Sequence, residues 1–257
     1  MPGLTRFSLH RLIPFLLAVT LVACNGETYS GAPEGYNFKT LEVTWTYDGN
    51  ITGTRQIFLE TKTFENGALV YKRMAGVRDM VRKIPGDPGR TSDDQGSYFN
   101  VEGVQTSMAP SLKSAIVARV EMAPLIIAQR FEFWLPTMRF LIRRDDLSKE
   151  KKTELQKRLV TITDEELTEI GATITEEDLM GHKTKHYVIP IADGTSEIWT
   201  YGDIGVKNIL VSNWRGTEVK DTIEPTVFKV NEKLPEQPFT IPKDFKVIDR
   251  TKETAKP

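Results

Sequence analysis

Three kinds of side chain in this sequence could do chemistry: one cysteine, a histidine pair and several carboxylate clusters. Cys24 is the only thiol in 257 residues. His182 and His186 stand four apart in HKTKHYVIP, where Val188, Ile189 and the preceding Gly181 favour strand over helix. On a helix the pair would suit zinc. In a strand it spans roughly 13 Å, too far to share one ion, so no metal and no cofactor is expected. Glu165-Glu166 and Glu176-Glu177-Asp178 sit in polar contexts and read as solvated faces. The acids of Pro85–Ser97 (PGDPGRTSDDQGS) lack the DxDxDG spacing of a calcium loop. GxSxG, HExxH and the P-loop are all missing. A glycosidase carries no such local signature in its two carboxylates, but nothing in the sequence points to catalysis, and the expectation is a protein that is not an enzyme.

Cys24 has a specific context. Arg6 and Arg11 form a positive start, Leu12–Val22 is apolar, and Ala23 is the small residue before the thiol. This is the layout of a secretory signal peptide, shorter than the ~20 residues that span a bilayer. The quartet Leu21-Val22-Ala23-Cys24 resembles the bacterial lipobox, in which the leader is cut before the cysteine and the sulfur, the nucleophile, is lipidated. Each buried CH₂ contributes about 0.8 kcal/mol, so two or three acyl chains hold a protein on a membrane stably. Residues 1–23 are therefore read as a removed leader and Cys24 as a lipid anchor. Asn25, where an aspartate would favour inner-membrane retention, leans towards the outer membrane. Residues 24–38, rich in Gly, Ser and Pro, form the anchored cysteine and its tether.

Without the leader, 32 basic residues face 35 acidic ones, a balance of −3 that gives no reason to expect nucleic acid. With no second cysteine, packing alone must hold the domain over residues 39–248, ahead of a charged tail at 249–257. Leu41, Val43, Trp45 and Tyr47 alternate along Thr40–Tyr47 as a strand does. Asp48-Gly49-Asn50 is a turn, Gly53–Glu60 the return strand, Asn66-Gly67 a second turn and Ala68–Met74 a third strand. Pro85–Ser97 reads as loop and Tyr98–Ser107 as strand.

From Pro110 the pattern gives way to apolar bulk, read as one or two helices stopped or kinked at Pro136. Leu125, Ile126, Phe131, Trp134, Met138, Phe140 and Leu141 either cover a sheet, the commoner use of an apolar stripe, or line the lid of a ligand cavity. Ser148 caps a helix to about Leu159, with Leu155 inward. Thr163 and Glu166 form a capping box that opens a short helix over Asp164–Ile170, with Gly171 at its C′ position. Strands return at Ala172–Glu176, His182–Pro190, Ser196–Tyr201 and Val219–Val230, with turns at Met180-Gly181, Asp193-Gly194 and Gly202-Asp203. Val206–Trp214 is a short amphipathic segment.

In order and spacing, Gly181-His182-Lys183-Thr184-Lys185-His186-Tyr187, Glu197-Ile198-Trp199 and Phe239-Thr240-Ile241-Pro242 resemble periplasmic proteins of the outer-membrane lipoprotein carrier (LolA/LolB-like) superfamily. The likeness runs over much of residues 40–248. One departure is Thr184, where relatives often carry cysteine. The resemblance implies an α+β, mostly β fold: a half-open antiparallel β-barrel covered by helices, with acyl chains held in an apolar cavity. The expected role is a membrane-anchored envelope protein that binds lipid or another apolar ligand. The alternative is a platform for an envelope partner protein.

Overall fold

The computed structural model describes residues 38–63, 69–84, 87–120, 125–158, 162–202, 204–214 and 216–252, with 62–63, 69–70, 84, 87–90, 125–132 and 214 described in backbone alone. The leader, Cys24, the tether to Asn37, the turn at Asn66-Gly67, Leu159, Asp203 and residues 253–257 lie outside the described residues.

Six strands come first: β1 (Thr40–Asp48), β2 (Ile51–Thr63), β3 (Leu69–Ile84), β4 (Asp87–Val101), β5 (Val104–Ala109) and β6 (Ser114–Arg119). Helices α1 (Leu125–Leu141), α2 (Lys149–Lys157) and α3 (Asp164–Glu169) follow. A second meander then runs through β7 (Thr173–Leu179), β8 (His182–Ile191), β9 (Gly194–Tyr201), β10 (Ile204–Trp214) and β11 (Thr217–Val230), and β12 (Lys246–Asp249) ends it. All twelve described strands join one sheet in the order β12-β6-β5-β4-β3-β2-β1-β11-β10-β9-β8-β7. Every pairing is antiparallel except β12 on β6. The sheet curves without closing, which is the half-open, mostly β fold expected from the resemblance.

The core sits on the face that α1 covers. Leu41, Val43, Trp45 and Tyr47 of β1 are all buried there, as the alternation requires. They meet Ile57 and Leu59 of β2, Tyr187 and Ile189 of β8, and Phe133, Trp134, Met138 and Leu141 of α1 in one apolar cluster. The caps form as their residue types dictate. Ser148 accepts from the Lys151 N–H, and Thr163 and Glu166 complete a reciprocal box. Gly171 takes φ +91° just past α3, a conformation open to residues without Cβ.

Four expectations are corrected. Pro85–Ser97 is not a loop: Asp87 onward is β4, paired with β3 through Thr91–Val101. Its first half has a strand on one side only, since β5 joins at Ser97, so neither face needs the apolar alternation that marks a strand. The Pro88-Gly89 stretch falls in the register shift between Lys83 and Ile84, where an irregular strand tolerates both residues. Tyr98–Ser107 is two strands, split where Glu102 and Gly103 adopt positive φ. Val206–Trp214 is part of strand β10. Of the two readings of Pro136 only the stop is overturned: α1 is one helix that runs through it to Leu141. The ring removes one backbone donor, and the buried flank of Phe133, Trp134, Thr137, Met138 and Leu141 holds the turn in place.

A separate apolar cluster lies on the opposite face. Leu234 and Phe239, in the segment between β11 and β12, cover Phe58, Ala75 and Phe99. Arg73 holds this strap. Its guanidinium binds Glu60 and Glu236 and lies 4.5 Å from the Phe239 ring centre.

Candidate functional site

The helix-covered face is positioned by a close approach of α1 to β10. A Cβ on Gly205 would fall 2.2 Å from Cγ of Phe133, so glycine is what lets the Phe133 ring reach the strand. Phe133 packs on Trp45 with ring centres 5.5 Å apart, and Trp134 meets Tyr187 edge-on at 5.2 Å. The Thr137 and Ser196 hydroxyls are 2.7 Å apart, and Trp45 Nε1 donates to the Val206 carbonyl at 2.8 Å. Trp134, Met138 and Leu141, three of the expected ligand-lining residues, are thus buried against the sheet, and Phe140 packs partly buried beside them. The side chains of Leu125, Ile126 and Phe131 lie outside the described residues.

This face also holds buried polar atoms, two of them on Tyr47 and Trp134, which the sequence marks only as part of its apolar pattern. Tyr47 Oη, Thr200 Oγ1, Asn208 Nδ2 and Trp134 Nε1 are buried, and the last three have no hydrogen-bond partner among the described residues. A buried polar group left unmatched costs about 1–3 kcal/mol. Arg55 is 8% exposed, stands directly opposite Trp45 on β1 and Arg78 on β3, and sets its guanidinium 5.8 Å from the Trp45 ring centre. Arg78 Nε meets Asp94 at 3.0 Å. Burial pushes the Tyr47 phenol above its ordinary pKa, and the nearby Arg55 charge pulls the other way. The only sequence signal for this cluster is an arginine at an inward position of β2, which period two alone would mark.

On the opposite face, β7–β10 align a second set. His186 Nδ1 faces Glu177 Oε1 at 2.7 Å, and Nε2 faces Glu197 Oε2 at 3.0 Å. The imidazole stacks on Trp199, its direct cross-strand partner, and Lys207 Nζ sits 4.7 Å from the same indole. Trp199 Nε1 donates to Glu177 at 2.9 Å, and Lys207 pairs with Glu224 at 3.2 Å. The Trp199 N–H, then His186, hold the Glu177 carboxyl below its ordinary pKa. Glu197 and Trp199 belong to the Glu-x-Trp motif, whose i, i+2 spacing puts both on one face. His182 is apart from this set, its ring 4.6 Å from Phe228 and 5.9 Å from Tyr201. Among the described residues, no group of three or more His, Cys, Asp or Glu is placed to hold a metal ion. Likewise no described helix is long and apolar enough to cross a membrane.

No family model matches the sequence, and no curated protein does. Some solved structures align with it at low identity. An uncharacterised conserved protein from Thermus thermophilus aligns at TM-score 0.39 and 9% identity, over 83% of this chain and 92% of that one. MucB aligns at TM-score 0.39 and 9% identity, over 84% of this chain and 62% of MucB. The Pseudomonas aeruginosa MucA/MucB complex aligns at TM-score 0.38 and 10% identity, over 81% of this chain and 58% of that one.

Proposed function

We propose that this chain is a bacterial envelope lipoprotein, anchored through an acylated Cys24 in the outer membrane, whose half-open barrel binds a lipid or another apolar ligand under α1. The role is binding and not catalysis. The observation that carries the reading is the set of buried polar atoms at Thr200, Asn208 and Trp134 along the helix–sheet interface that have no hydrogen-bond partner among the described residues. A finished core satisfies such groups, whereas an interior that receives a guest leaves donors for it. The open antiparallel sheet agrees with the architecture that the LolA/LolB-like resemblance implies.

Native mass spectrometry of a Cys24→Ser form, released gently from cells, tests this directly. Co-purified lipid is the expected result. Bare protein, together with a crystal structure showing a solidly filled interior, would overturn the reading.

A platform for an envelope protein is the second reading. It draws on the two edges of the described sheet, β7 and β12, of which β12 exposes Val247 and Ile248. Crosslinking in intact membranes separates the two: this reading needs a protein adduct on an edge strand, and adducts to lipid alone would remove it.

A further inference from the structure

The described sheet ends in β7 on one side and β12 on the other, and the two ends carry opposite charge. Residues 164–178, which span α3 and most of β7, hold seven acids and no base. Residues 113–119 and 243–252, which frame β6 and β12, hold six bases against two acids. Part of this charge is already used within the chain: Asp164 pairs with Lys185, Glu177 meets His186, and Asp244 pairs with Lys113. Glu176 on β7 and Lys246 on β12 are exposed and enter no ion pair among the described residues.

The same ends leave backbone groups open. Lys246 and Arg250 donate their N–H groups to the carbonyls of Lys113 and Val117. By alternation Val247 and Asp249 turn theirs away from β6, and Val247 and Ile248 add exposed apolar surface. Charged side chains on an edge strand commonly keep it from pairing with another copy, because like charges meet. That guard holds when both edges carry one sign. Here each edge repels its own kind and attracts the other.

We propose that β7 of one copy pairs with β12 of a second copy of this chain, with Glu176 and Lys246 meeting across the contact. The contact is heterologous: it leaves β12 open on the first copy and β7 open on the second, so copies add head to tail in a row. It goes beyond both functional readings above. It uses the edges on which the platform reading draws and names this chain itself as their occupant. With only four residues in β12, few main-chain bonds can form, so charge attraction carries much of the contact and salt weakens it.

Sedimentation equilibrium of the Cys24→Ser protein tests this. At low salt the mean mass should rise with concentration past that of two copies, and at high salt it should fall back towards one. Lys246→Glu and Glu176→Lys should each weaken association about 10-fold, because each sets like charges face to face. Both changes lie at exposed positions, so melting temperatures should hold. An equimolar mixture of the two variants should associate again, since the acidic β7 of one meets the basic β12 of the other; a misfolded variant could not do this. A monomer at every concentration in low salt would overturn the proposal and leave both functional readings standing, as neither needs a second copy. A mass that stops at two copies would also overturn it, because it marks a closed, self-complementary contact. So would variants that associate as the parent does, or a mixture that stays monomeric.

Discussion

His186 lies flat against Trp199, ring centres 4.0 Å apart and planes 6° from parallel, while both of its ring nitrogens face carboxylates. The two residues are direct partners across β8 and β9, and Glu177 reaches over from the edge strand β7 to bind both. An edge strand has hydrogen-bonded neighbours on one side only. Glu177 therefore ties the end of the sheet to its interior. His186→Ala should cost about 1 kcal/mol in chemical unfolding, because it uncovers the stacked indole, while Glu177 and Glu197 stay open to water.

The pH dependence follows from Glu177. Its carboxyl is held below its ordinary value, first by the Trp199 N–H and then by His186. A lowered native pKa contributes stability that is full above the unfolded value and is lost as pH falls through the native one. The protein should therefore lose stability more steeply than Glu177→Gln as the pH drops below about 4.3, the ordinary glutamate value. Near neutrality the two curves should run parallel. Denaturant midpoints measured from pH 7 to pH 2.5 check this, and identical slopes across the acid range would exclude the tie.

The strap between β11 and β12 gives a third prediction. Phe239 is buried against Phe58 and Ala75 on the outer face, with Arg73 over its ring. Phe239→Ala should cost about 3 kcal/mol, typical of a large-to-small change at a buried aromatic. Arg73→Ala removes the contacts to Glu60 and Glu236 and keeps the apolar plug, so its effect should be local. Hydrogen exchange should then rise over residues 232–245 with little change in the β1 amides.

Legibility followed the range of the interaction. β1 could be read from Leu41, Val43, Trp45 and Tyr47 because one buried face imprints period two on a single segment. The Thr163–Glu166 box and the Ser148 cap could be read because each closes within four residues. β4 could not, since its polar first half is defined by pairing with β3 and by the Arg78–Asp94 and Gln95–Asp79 contacts, not by burial. Both side-chain clusters were hidden for a related reason. Glu177, His186 and Glu197 come from three strands, and Tyr47, Arg55 and Arg78 from three others, so only the sheet register assembles them.

The capping box supplies a control of known size. Thr163 Oγ1 accepts the Glu166 N–H, and the Glu166 carboxylate accepts the Thr163 N–H at 2.9 Å while also binding Arg158. Thr163→Ala should cost about 1 kcal/mol, and Thr163→Ser close to nothing, because serine keeps the accepting oxygen. Equal losses for both would mean that the methyl group, not the cap, carries the stability.

Gly205 provides the sharpest test of how α1 sits on the sheet. Its Cβ position is already filled by Phe133, whose Cγ and Cβ would lie 2.2 and 2.7 Å away. Phe133 is itself fully buried against Trp45, so the ring has no room to retreat without moving the helix. Gly205→Ala should therefore destabilise by about 1–3 kcal/mol, the range for overpacking a filled site. The strain should be local to this contact, so Phe133→Ala, which removes Cγ and the ring, should recover part of the loss when the two changes are combined. A double-mutant cycle in urea reads that coupling as a negative interaction energy. Strict additivity would show that α1 does not rest on β10 through this pair, and the helix would then have to be held by Trp134 on Tyr187 and by the Thr137–Ser196 bond.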